Sequence, residues 1–139
     1  MTAKKYLLRI KRLDNQIKHR RKSLKDIEQS RLYLHGAVDG ERVQTSPNGD
    51  SFTNESITFL DMYKDLIDEE LRYFAERERI IAQIEGLDSA AHSQLLYMLY
   101  VDYAKYPDLL AASLELDKSY DYVRHMHGWA LEAFAKKYL

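Results

Sequence analysis

Apolar residues recur through the first thirty-five positions in alternating steps of four and three. Tyr6, Ile10, Leu13, Ile17, Arg20, Leu24, Ile27, Arg31 and Leu34 make the series, apolar at seven of nine places. This is the seam of a helix that lies along another. Neither Gly nor Pro interrupts it before Gly36, so the spacing predicts one helix over about 4–34. The stretch GAVDGERVQTSPNGDSFT, with Gly36, Gly40, Pro47, Asn48 and Gly49, then predicts a loop over 36–53. Ser51 or Thr53 is the expected cap of the next helix, and Glu55 suits its positive end. Phe59, Tyr63, Leu66, Glu70, Tyr73, Arg77, Ile80, Ile84 and Leu87 resume the four-three step, and Leu60, Ile67, Leu71, Phe74 and Ile81 widen the stripe. The second helix, over about 54–85, is therefore two-sided.

Gly86 closes it, and Asp88 or Ser89 is placed to cap a third helix over about 89–103, with Leu95, Leu96, Leu99 and Tyr103 on one side. Pro107 suits the first position of a short helix, PDLLAASL, and ELDKS reads as the turn after it. Ser119 has the type and place of an N-cap for a last helix running to the C-terminus. The chain reads as all-α. A long antiparallel helical hairpin over 1–86 (helices 4–34 and 54–85, loop 36–53) is followed by a helix-turn-helix over 87–139.

Charge sharpens this division. Residues 1–35 hold 11 Lys and Arg against three acids, and residues 36–100 hold 5 against 13. The net −1 of the whole chain thus hides +8 and −8 in neighbouring segments, with −1 in the remainder. Such segments suit each other as partners in a hairpin, and the basic one also suits nucleic acid. Arg20, Arg31 and Arg77 fall on the seams, where two roles are open: pairing with Glu70, or apolar stems at the rim with the heads in solvent.

The chemistry-bearing residue types exclude more than they admit. No local stretch sets a Ser beside an oriented base, and Cys is absent, so no catalytic residue, disulfide or thiolate metal site is expected. His125 and His127 stand two apart on a helix and point to nearly opposite sides, which prevents a shared ion. No phosphate-cradling glycine loop occurs, and the acids Asp68, Glu69 and Glu70 read as a solvated helix face. No metal or cofactor is expected. With no N-terminal apolar run, the sequence predicts no signal peptide or membrane association and a cytoplasmic protein.

The C-terminal third is more specific. Leu109, Ala112, Leu116, Val123, Met126, Ala130 and Phe134 have the spacing of two short helices packed across a turn, with the small Ala112 allowing close approach. SYDYVRHMHGWAL, residues 119–131, resembles the recognition helix of sigma factor region four at Ser119, Val123, Arg124, Met126, Ala130 and Leu131. Together with TAKKYLLRIKRLDNQI near the N-terminus and ERVQTSPNGD in the centre, it is similar to the small phage transcriptional regulators of the ArpU and RinA type. The resemblance implies double-stranded DNA as partner, a phage or prophage context in a bacterial host, and regulation of late genes; bacterial RNA polymerase and a second copy of the chain are further candidate partners.

On that reading Arg124 and His125 face base edges in a major groove. Tyr120 and Tyr122 contact phosphate or a thymine methyl, Lys118 reaches the backbone, and Ser119 caps the reader. The sequence departs from the sigma pattern where Tyr120, Asp121 and Tyr122 hold the first turn and Gly128 and Trp129 stand at later basic positions. A module so poor in charge needs help from elsewhere. Lys18, Arg20, Arg21, Lys22 and Lys25 are the candidate accessory phosphate contacts, and Arg42, Gln44 and Thr45 of the loop are a further candidate contact. The rival reading is a protein-interaction module, with Tyr122, Trp129 and Phe134 as packing or interface residues and no DNA contact.

Overall fold

The computed structural model describes the backbone of residues 1–39 and 49–139 and the side chains of 1–30 and 58–139. It is all-helical, with no strand among the described residues. The helices are α1 (Ala3–Leu7), α2 (Arg9–Asp39), α3 (Gly49–Glu85), α4 (Ala90–Tyr100), α5 (Leu109–Leu116) and α6 (Tyr120–Tyr138).

Their starts follow from side chains that satisfy otherwise unpaired N–H groups. The side chains of Thr2, Ser89 and Ser119 accept from the backbone N–H groups of Lys5, His92 and Tyr122. The cap of α5 is Asp108, whose carboxylate accepts from the Ala111 N–H at 2.8 Å. Pro107 therefore precedes the cap and does not open the helix. A proline only tolerates the missing N–H partner, whereas the Asp108 carboxylate supplies one.

Three other boundaries differ from the sequence reading. The first long helix is broken once, at Leu8, which keeps right-handed helical angles (φ −64°, ψ −14°). The interruption is slight. Residues 36–39 and 49–53 are helical, so the expected loop loses both ends to α2 and α3, and Ser51 and Thr53 lie inside α3. Gly36 weakens a helix by about 1 kcal/mol without having to end it. Arg42, Gln44 and Thr45 lie outside the described residues. At its C-terminal end α4 stops at Tyr100, and Tyr103 lies beyond it.

Contacts group the chain into two compact units, one of residues 1–14 with 74–139 and one of residues 15–73. The expected boundary at 86/87 thus falls inside the first unit. In that unit α6 packs against α1, α4 and α5, and α4 against α5. Leu95, Met98, Tyr106, Ala112, Val123 and Met126 form one core, edged by Leu99, Leu109, Ala111 and Leu116. Ala130 and Phe134 are also buried, so every residue of the expected apolar set is in or beside the interior. Phe134 meets Tyr6 with ring centroids 5.6 Å apart. The Tyr138 hydroxyl crosses close over Gly86, where an added Cβ would lie 2.5 Å from it.

Charged residues fix the long helices. In the first unit Arg9 pairs with Glu76 at 2.6 Å. Arg77 Nε donates to one oxygen of Asp14, and the Tyr103 hydroxyl donates to the other at 2.9 Å. Burial opposes the Arg77 cation, and the Asp14 carboxylate more than offsets it, so the guanidinium pKa is raised. Burial first, then the bond to Asp14, raises that of Tyr103. In the second unit Arg20 pairs with Glu69 at 2.7 Å, Arg21 pairs with Glu70 at 2.6 Å, and the Tyr63 hydroxyl donates to Glu28. The seam arginines Arg20 and Arg77 are paired rather than left in solvent, Arg20 with Glu69 instead of the expected Glu70. Glu69 and Glu70 are ion-pair partners and not a solvated face. The Arg31 side chain lies outside those described.

Candidate functional site

The joint between α5 and α6 is short because both of its ends are capped. Asp117 holds left-handed angles (φ 53°, ψ 46°), a conformation that Asp tolerates better than most side chains. Its N–H donates to the Leu114 carbonyl and that of Lys118 to the Ser113 carbonyl, which closes α5. Ser119 opens α6 two residues later. The turn is therefore Asp117 to Ser119, shorter than the expected ELDKS, since Glu115 and Leu116 remain in α5.

From this start α6 separates two faces. Val123, Met126, Ala130 and Phe134 are buried, and Asp121, Arg124, His125, Gly128, Trp129, Glu132 and Lys136 are exposed. The residues singled out as DNA contacts in the turn and on this helix, Lys118, Ser119, Tyr120, Tyr122, Arg124 and His125, are all exposed. Trp129, weighed as a packing residue, is 52% exposed, and Tyr122 is likewise open; of the three aromatic packing candidates only Phe134 is interior.

Local contacts orient these groups without occupying them. The Arg124 guanidinium stands 3.7 Å from the Asp121 carboxylate, beyond hydrogen-bonding range, and its side chain is 57% exposed. His125 Nδ1 lies 2.7 Å from the Asp121 carbonyl oxygen. That oxygen only accepts, so Nδ1 carries the proton and Nε2 is left to face outward. The His125 ring leans against Trp129, centroids 6.1 Å apart. At Gly128 an added Cβ would meet nothing within 4 Å, which leaves a shallow gap in the middle of the exposed face.

His127, two residues from His125, turns inward as the helical period requires. Its Nε2 lies 2.9 Å from the Tyr100 hydroxyl, and the two rings stack. Burial, and secondarily Lys4, lower its pKa, which favours the neutral imidazole. Burial pushes the Tyr100 hydroxyl up to about 12. This pair joins α4 to α6 behind the exposed face.

Lys4 is a cation that the sequence reading missed. It lines one open groove with Tyr120, His127, Tyr100 and Asp108, and so brings positive charge to the start of α6 from the far end of the chain. No periodicity or motif links these positions. The expected accessory contacts are divided in the second unit. Arg20 and Arg21 are engaged with Glu69 and Glu70, whereas Lys18, Lys22 and Lys25 are exposed, with no ion pair among the described residues.

No group of three or more metal-ligating side chains occurs among the described residues, and no described helix is long and apolar enough to cross a membrane. Comparison with family models, with curated proteins and with solved structures returned no match.

Proposed function

We propose that this chain is a DNA-binding transcriptional regulator of phage or prophage type, with α5 and α6 as a helix-turn-helix and α6 as the reader. The observation that carries the reading is the division of α6. A capped helix offers one continuous open face, while the opposite face is fixed in the core. Such a helix meets a groove as a rigid body and brings Arg124 and His125 to base edges. Arg124 suits guanine O6 and N7. His125, with Nδ1 held by the Asp121 carbonyl, presents Nε2 as acceptor to an exocyclic amine when neutral and as donor when protonated. Tyr120, Tyr122, Lys118 and Lys4 serve the flanking phosphates, and Lys18, Lys22 and Lys25 remain as accessory cations. Gly128 admits the close approach of a sugar-phosphate edge.

In this reading α2 and α3 form an antiparallel hairpin that serves as a dimerisation or polymerase-binding element; the Arg21–Glu70 and Glu28–Tyr63 contacts support that direction. The phage setting and the control of late genes rest on the ordered sequence motifs alone.

A second reading, an interaction surface for a protein partner, is favoured by one observation: the exposed aromatics Trp129 and Tyr122, two turns apart on α6, a residue type common at protein interfaces. Fluorescence anisotropy with pooled duplex fragments from the source genome separates the two. The DNA reading predicts fragment-selective binding by the wild type that Arg124→Ala abolishes. Absence of binding at both low and physiological salt refutes a stand-alone reader.

A further inference from the structure

We infer that α3 pairs antiparallel with α3 of a second copy of this chain, around a two-fold axis near Leu71. This takes up the dimerisation role given above to the long helices and stands independently of DNA reading by α6.

The starting observation is an apolar stripe left in water. Leu60, Ile67, Leu71 and Phe74 step by seven, four and three along one uninterrupted helix and so share a side of it. Leu60 is 52%, Leu71 61% and Phe74 45% exposed. The positions of α3 that make its internal bonds, among them Tyr63, Glu70 and Arg77, and the buried Ile80 and Ile84, lie on another side. A second seam therefore exists beside the one already used, over about 21 Å of helix at about 1.5 Å per residue.

Charge identifies the occupant. Lys64 and Glu78 complete the four-three series of this seam, one on each side of Leu71 and seven residues from it. Beside the stripe Asp61 and Asp68 precede the centre, and Arg72 and Arg79 follow it. All six charged residues are exposed; Glu78 bonds to its neighbour Arg77, and the other five make no ion pair among the described residues. An antiparallel copy centred on Leu71 sets Lys64 against Glu78, Asp68 beside Arg72 and Asp61 beside Arg79, each twice by symmetry. Ile67 then meets Phe74 across the axis. A parallel copy sets Lys64 on Lys64, Glu78 on Glu78 and Asp68 on Asp68, which like-charge repulsion disfavours. The face is thus complementary to itself in one direction only, the property a two-fold dimer requires.

Sedimentation velocity of the full chain across a concentration series tests this, with circular dichroism as the check that each variant keeps its helices. The wild type is expected to approach twice the 16.4 kDa chain mass, and Leu71→Glu to remain monomeric with unchanged helicity. Glu78→Lys and Lys64→Glu are each expected to weaken self-association, and an equimolar mixture of the two to restore a dimer, because each then supplies the charges that the other lacks. A wild type that is monomeric at every concentration overturns the inference, as does a dimer that Leu71→Glu leaves intact. A mixture that fails to recover overturns the antiparallel register. Loss of the dimer with duplex binding retained, or the reverse, separates this inference from the DNA reading.

Discussion

The basic stretch of α2 and the exposed face of α6 differ less in open charge after folding than their sequences suggest. Between Lys18 and Lys25 five cations crowd into two turns of helix, yet Arg20 and Arg21 are engaged with Glu69 and Glu70. On α6 the charge is sparse, but Arg124 stands free of tight pairing, and His125 engages the Asp121 carbonyl through one ring nitrogen only. The number of charges in a segment measures its potential for binding; what remains after folding measures its availability.

Substitutions on the two faces of α6 break this comparison most strongly. Phe134→Ala empties a fully buried aromatic site and is expected to cost about 3–5 kcal/mol in chemical denaturation. Arg124→Ala on the open face is expected to change stability by no more than about 0.5 kcal/mol. Equal losses at the two positions would show that the open face is itself structural.

The Asp14 node is the next test, because it is where charge is most fully consumed. Asp14→Ala leaves the Arg77 guanidinium and the Tyr103 hydroxyl without their shared acceptor, at an expected cost of about 2 kcal/mol. Thermal melts of Asp14→Ala and Asp14→Asn, the latter retaining one acceptor, should rank in that order. No loss in either would mean that the node is solvated.

Acidification addresses the inward histidine. The folded pKa of His127 lies below the ordinary 6.5, so as pH falls through 6.5 the unfolded chain takes up the proton first. Stability is therefore expected to decline below that point, and to decline less in His127→Gln, as read by urea midpoints at neutral and mildly acidic pH. An identical decline in both proteins assigns the effect to other groups.

The smallest expected effect is a gain. Gly128→Ala adds a methyl group into open space and should stabilise α6 by about 0.5–1 kcal/mol. If the face meets DNA closely, the same variant binds more weakly despite its higher melting temperature.

Much of this architecture was legible because it is local. Helical periodicity located the elements, and Ser89 and Ser119 announced two starts with side chains that can accept an otherwise unpaired backbone N–H there. The misjudged features are those in which one local signal competes with another. Pro107 suits a first helical position, yet Asp108 caps α5 and Leu109 holds that position; Gly36 suits a stop, although glycine only weakens a helix. What the pattern could not contain is long-range pairing. Arg77 with Asp14 and Tyr103, and Lys4 beside Tyr120, join residues that no spacing relates. At the candidate site the exposure of Arg124 and His125 followed from the same 3.6-residue period that buries Val123 and Met126. The openness of Trp129 did not, because a tryptophan at the margin of an apolar stripe fits either side.

The central claim, that the open face of α6 reads duplex DNA, is tested most directly by the salt dependence of duplex binding for the wild type, Arg124→Ala and Trp129→Ala. Between about 50 and 200 mM salt the account predicts a steep loss of wild-type affinity, a large further loss in Arg124→Ala, and a smaller one in Trp129→Ala. Binding that hardly changes with salt and collapses only in Trp129→Ala would contradict it.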